Sequence, residues 1–298
     1  MSSSLPLSTL SLRIACALAI TATLAACQTT TIGSNSSSTD NNQATQAVSN
    51  KNTLSQNPSG QNIAAQDKKS QADISSELTM NTSGRHEYQL ENGLKVVVKE
   101  DHRAPVVMTQ IWYRVGSTDE PADKGGISHL LEHMMFKGTS NVSSDDYERL
   151  IAKFGGVNNA FTSYDYTGYY ELFPANRFPL ALELEADRMK NLMFNDDAFA
   201  KEHQVVMEER RQRTDDNPLA KAYESFRLLA LPNSPKGESI IGPMNELESI
   251  KLSDVKDWYK TWYAPNNATL VIVGDVEPTE VLAQVKRYFG ELSPSELP

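Results

Sequence analysis

His129, Glu132 and His133 stand in the spacing His-x-x-Glu-His, among the apolar neighbours Ile127, Leu130, Leu131, Met134, Met135 and Phe136. On an α-helix each residue turns about 100°, so His133 sits roughly one turn above His129 on nearly the same face. Two neutral imidazoles at that separation can bind one zinc ion. Glu132 lies beside His133 on the same side, close enough to take a proton from a metal-bound water. The chain has five histidines, so chance would give the pattern about once in a hundred such proteins. Core packing is the other ordinary explanation, because a buried histidine can simply be hydrogen-bonded. Two imidazoles and a carboxylate in an apolar segment carry a desolvation cost, however, and a metal ion would offset it.

Catalytic zinc keeps three protein ligands and one water, so a third side chain is required. Residues 197–213 read as a long helix carrying Glu202, His203, Glu208 and Glu209. Glu202 and Glu209 are seven apart and share a face. Glu208 is turned roughly 100° away from Glu209. A solvated charged face with Arg210, Arg211 and Arg213 accounts for both glutamates equally well, and His203 competes as a ligand on composition alone. Spacing leaves the choice open.

With these residues in view, the sequence resembles the insulinase and pitrilysin family of zinc peptidases, which includes mitochondrial processing peptidase and carries the inverted His-x-x-Glu-His motif. In that family a glutamate ligand follows the second histidine at a distance that falls on Glu209, and a second acidic residue one heptad earlier falls on Glu202. The resemblance implies that His129, His133 and Glu209 hold one Zn2+ per chain, that Glu132 is the general base, and that Glu202 supports it from behind. The family also has an Asn-Ala-x-Thr edge strand that pairs with substrate backbone, which falls on Asn159, Ala160, Phe161 and Thr162. The match runs from about His86 to Gly290. It implies a zinc-dependent endopeptidase acting on peptides or unfolded polypeptide segments. It also implies a second homologous half, on a longer chain or a separate subunit, that closes a clamshell over the first. Two other readings stay open: a tethered binding or chaperone subunit without turnover, and a structural zinc site with His203 as fourth ligand.

The elements that must position these residues are legible as patterns. Residues 86–99 read as a hairpin turning at Asn92 and Gly93. Val106 to Val115 is a second β-rich run, and the motif helix begins near Gly126. Ser144 is the expected cap of a helix running through Tyr147, Leu150 and Ile151 to a stop at Gly155 and Gly156. Strands follow from Val157 to Phe173, where ordinary strand packing accounts for Tyr164, Tyr166, Tyr169 and Tyr170. Helices are expected over 179–193, 197–213 and 221–230, with Asn217 and Pro218 as an interruption. Pro232, Pro235 and Gly237 mark a loop, and Ser253 is the expected cap of a helix through Trp258 and Trp262. Residues 268–274 read as a buried strand, and 278–289 as a closing amphipathic helix. Hairpins mixed with helices argue for an α+β fold, with a mixed, largely antiparallel sheet and helices packed on it, rather than a parallel doubly wound sheet.

The N-terminal part has another character. Residues 1–27 read as a secretory signal: Arg13 is the only charge, and the apolar run from Ile14 to Ala26 is too short to span a bilayer. Leu24, Ala25 and Ala26 before Cys27 resemble a bacterial lipoprotein cleavage box, with Cys27 as the lipidated first residue. Gln28, where an aspartate would retain the protein at the inner membrane, points to an outer-membrane anchor facing the periplasm. Residues 28–83 are rich in Ser, Asn and Gln and too poor in large apolar side chains to offset their ordering entropy. They read as a disordered tether with an r.m.s. reach of roughly 40 Å. Cys16 and Cys27 are the only cysteines, so the mature chain is expected to hold no disulfide. Its net charge of −10, with no basic and aromatic cluster, gives no nucleic-acid face. The folded domain is expected over 84–291, with 292–298 as the start of an interdomain linker.

Overall fold

The computed structural model describes residues 84–298. The expected signal segment 1–27 with Cys27 and the expected tether 28–83 lie outside the described residues. Six strands, β1 (Arg85–Gln89), β2 (Lys95–Glu100), β3 (Val106–Tyr113), β4 (Val157–Thr162), β5 (Thr167–Pro174) and β6 (Ala268–Gly274), form one sheet in the order β1-β2-β6-β3-β5-β4. Every neighbouring pair is antiparallel except β2 with β6, which runs parallel with Glu100 opposite Gly274. The α+β expectation, with its mixed, largely antiparallel sheet, is therefore met. The helices are α1 (Ile127–Met134), α2 (Ser144–Lys153), α3 (Phe178–Asn191), α4 (Asp196–Arg210), α5 (Pro218–Ala230), α6 (Met244–Leu247), α7 (Leu252–Trp262) and α8 (Pro278–Phe289). None of them is long and apolar enough to cross a membrane.

The sheet is one-sided for a reason written in its strands. In β3, Val107, Thr109, Ile111 and Tyr113 are buried and the residues between them are not; β6 repeats the pattern with Ala268, Leu270, Ile272 and Gly274. A period of two sends alternate side chains to one face. There Val96, Ile111 and Leu270 join Leu130 of α1, Leu182 of α3, Val206 of α4, Val255 of α7 and Val285 of α8 in a single cluster. Each such fully buried side chain contributes about 1.5–3 kcal/mol. The β1–β2 turn falls at Asn92 and Gly93 as expected. Gly93 takes φ +90°, which the turn demands and glycine adopts without steric cost. Asn92 Nδ2 then donates to Phe289 O and Leu292 O at 2.7 and 3.0 Å, fixing the end of α8.

Several helix boundaries differ from expectation: α3, expected over 179–193, ends at Asn191, and α5, expected over 221–230, already starts at Pro218. Ser143, not Ser144, caps α2, because it is the last extended residue and its hydroxyl accepts from the Asp146 amide. Ser253 lies within the first turn of α7; the cap position is Lys251, whose amide donates to Asp254 Oδ2 at 2.9 Å. The α4 helix ends at Arg210 and continues as a wider π turn over Arg211–Asp215. Asn217 then caps α5 by accepting from the Leu219 and Ala220 amides, each at 3.2 Å.

Beneath the sheet edge lies a buried ionic group. Arg188 of α3 donates to Glu171 of β5 at 3.0 Å and is also bonded to Glu185, with Tyr147 of α2 donating to Glu171 at 3.2 Å. The guanidinium also sits 5.0–5.1 Å from the ring centres of Phe136, Tyr147 and Tyr169. Burial and the neighbouring Glu185 raise the Glu171 carboxyl well above the carboxylate range. Arg188→Leu would leave the buried Glu171–Glu185 carboxyl pair without its cation. It is expected to lower unfolding free energy by about 3–5 kcal/mol, read from the urea midpoint at unchanged slope.

Candidate metal centre

α1 is apolar on the side that meets the core, where Ile127, Leu130, Leu131 and Met134 are buried. Its remaining positions turn His129, Glu132 and His133 towards α4 and β4. The two imidazoles meet edge to face, with ring centres 4.8 Å apart. From α4, Glu209 approaches both: Oε1 lies 3.8 Å from His129 Nε2 and Oε2 lies 3.5 Å from His133 Nε2. One donor atom from each of the three residues falls within 4.8 Å of the others. Two imidazole nitrogens and a carboxylate oxygen form a donor set that suits zinc.

The competing candidates lie elsewhere. Glu208 is exposed and bonded to Arg211 and Gln212 at 3.1 and 3.0 Å. His203 Nε2 bonds the Leu247 carbonyl at 2.6 Å, and its ring stacks on Phe199. Glu202 stands behind His133: its Oε2 lies 3.3 Å from Nδ1, and its Oε1 pairs with Lys137 at 2.8 Å. A carboxylate on Nδ1 fixes the tautomer that leaves Nε2 free to ligate. Arg213, from the π turn, pairs with Glu209 Oε1 at 2.6 Å.

Burial sets the charge states. It pushes the His129 imidazole down to about 3, with His133 and Arg213 adding repulsion, so the ring is neutral at pH 7 as a ligand must be. Burial likewise raises the Glu132 carboxyl, opposed by a hydrogen bond from Thr162. That bond runs from Thr162 Oγ1 to Glu132 Oε2 and ties the motif helix to β4.

Among the described residues β4 is an edge strand, paired with β5 alone. Asn159, Ala160, Phe161 and Thr162 all line an open cavity of about 690 Å³ that also contains His129, Glu132, His133 and Glu209. Phe161 packs edge-on against Trp112 at 5.2 Å, while exposed Asn159 accepts from the Ala160 amide at 2.8 Å. Of the four tyrosines, Tyr169 is buried in the core and Tyr164 lines the cavity. The opposite wall was not anticipated from sequence. It comes from α5, through Tyr223 and Arg227. Their i, i+4 spacing put them on one helix face, but nothing in the pattern said which way that face looked.

Comparison with known proteins follows the same residues. The family model described as insulinase (peptidase family M16) matches residues 95–244, and the model described as peptidase M16 inactive domain matches 249–298. The second match includes β6, which sits between β2 and β3 in the same sheet. A zinc protease, PqqE, from Helicobacter pylori is 38% identical over 204 residues, covering 68% of this chain and 46% of that protein. The crystal structure of a protease from Helicobacter pylori superposes with a TM-score of 0.70 at 35% identity, covering 72% of this chain and 52% of that one. The first half of the periplasmic protease PqqL from Escherichia coli gives a TM-score of 0.65 at 26% identity, covering 72% and 48%. The chain spans about half the length of the curated relatives it matches.

Proposed function

Because this chain belongs to the insulinase family of peptidases, we propose that it is the metal-carrying half of a zinc-dependent endopeptidase that cuts peptides or unfolded polypeptide segments. The observation that carries this reading is the convergence of His129, His133 and Glu209 beside Glu132 in one cavity. His129, His133 and Glu209 would hold one zinc ion, with Glu202 orienting His133. Zinc bound there supplies a Lewis acid that polarises the scissile carbonyl and acidifies the attacking water. Glu132 takes the proton of that water and delivers it to the leaving amine. Thr162 holds the Glu132 carboxylate in place. An extended peptide adds as a strand beside Asn159–Thr162, so backbone bonds supply affinity and the cavity walls supply selectivity.

The working enzyme includes a second homologous half, in keeping with the chain's share of its relatives' length. The domain is read as 84–291 with a linker from 292. In the same reading the protein is lipid-anchored in the bacterial envelope, at the outer membrane and facing the periplasm; the signal-like pattern of residues 1–27 and Cys27 support it. A neighbour named as a periplasmic protease is in keeping with the compartment. A second reading, a tethered binding or chaperone subunit without turnover, has one observation in its favour: the match of 249–298 to an inactive-domain model. Zinc content together with a peptidase assay, with and without the second half, tests both. Stoichiometric zinc with turnover supports the peptidase. Zinc without turnover in either assay supports the silent subunit.

A further inference from the structure

The helix that carries the motif has an unusual start. The residue before α1 is Gly126, left-handed at φ +93° and with no side chain to receive the first amides. A Cβ at this position would lie 2.3 Å from Ile241 O, so no capping side chain fits. A carboxylate from an earlier loop takes that role. Glu120 Oε2 accepts from the Gly126 amide and Oε1 from the Ser128 amide, both at 2.8 Å. Both oxygens of one side chain thus bind the helix start, where the backbone dipoles favour negative charge. Glu246 Oε2 binds the Gly125 amide at 2.8 Å, one residue further out. Ser128 is held again through its hydroxyl, which donates to Gly116 O and accepts from Trp258 Nε1.

The two imidazoles of the motif are supported unequally. His133 Nδ1 faces Glu202. His129 Nδ1 is buried and has no hydrogen-bond partner among the described residues. Among the described residues no side chain hydrogen-bonds the His129 ring from behind, so its direction follows from the backbone of the first turn of α1. That turn is the one Glu120 binds.

We propose that Glu120 is the positioning residue for His129: by bridging the Gly126 and Ser128 amides it does for this imidazole what Glu202 does for His133. The inference rests on the reading of His129 as a zinc ligand. Burial raises the Glu120 carboxyl to about 7, and the two amide bonds oppose that rise. The amides therefore help to keep a charge in a place that otherwise disfavours one.

Glu120→Gln in the full chain tests the proposal, because glutamine offers one acceptor oxygen and sets its amide group against the other backbone N–H. Zinc release from the variant is expected to be about 10–100-fold faster. Turnover should fall by a similar factor with KM within about twofold, since the peptide-binding strand is untouched. In metal-free protein, hydrogen exchange should quicken at Gly126 and Ser128 and not in α2 or α8. Glu120→Asp, charged but one methylene shorter, should fall between wild type and Glu120→Gln. It decides by the same readouts if the glutamine variant does not fold. Unchanged zinc release and unchanged exchange in the variant would overturn the proposal, as would exchange quickened evenly over all helices. A wild-type chain that binds no zinc would instead defeat the ligand assignment, and exchange in the apo protein would still decide whether Glu120 holds the first turn.

Discussion

Glu132→Gln is expected to keep its zinc and to lose hydrolysis, with kcat lower by about 10²–10⁴-fold. The substitution is isosteric, still accepts from Thr162, and removes only the capacity to take a proton. Zinc content by elemental analysis, alongside turnover of an unfolded or oligopeptide substrate in the presence of the second half, checks it. Equal turnover by wild type and variant would reject Glu132 as the base. The same carboxylate gives a pH dependence whose sign is fixed. Burial raises its pKa, and a general base must be ionised, so kcat/KM falls as pH drops through that raised value. The Thr162 hydrogen bond lowers the pKa. Thr162→Val is therefore expected to move the acid limb to higher pH, and a limb that stays in place or moves to lower pH would show that Thr162 does not act on the base.

Glu209→Gln should release zinc far more readily than Glu208→Gln. The two residues are adjacent in sequence but lie in different surroundings. Glu209 lies 3.8 and 3.5 Å from the two ring nitrogens, while Glu208 points to Arg211 and Gln212 in solvent. Loss of the Glu209 charge should weaken zinc retention by at least about 100-fold, the upper end of what an orienting neighbour alone provides. Glu208→Gln should stay within about twofold, as surface changes away from a site do. Dialysis against a graded series of chelators, with residual zinc measured, separates the two. The opposite order would reassign the third ligand.

Much of this protein could be read from neighbours in the chain. His129, Glu132 and His133 share a face because a helix repeats every 3.6 residues, and the motif helix forms where its apolar residues keep that repeat. The alternation in β3 and β6 and the turn at Gly93 are local in the same way. The cap of α2 falls one position before Ser144, because two adjacent serines have the right chemistry and only the path of the backbone selects one; that of α7 falls two before Ser253, where the Asp254 carboxylate binds the Lys251 amide. For the α5 wall of the cavity, the spacing of Tyr223 and Arg227 gave a shared helix face but not the direction in which that face looks.

Local periodicity decided which residues of α1 stand together, and resemblance suggested their partners in α4. Only packing brought those partners within reach. Val206 and Met207 enter the core and so fix the rotation of α4, which turns Glu209 inward, leaves Glu208 in solvent and hands His203 to the Leu247 carbonyl. In the same way β6 slots between β2 and β3, and Glu120 reaches the start of α1 from an earlier loop. Separations of this kind are sums over many side-chain contacts between segments remote in sequence, and no window of neighbouring residues contains them.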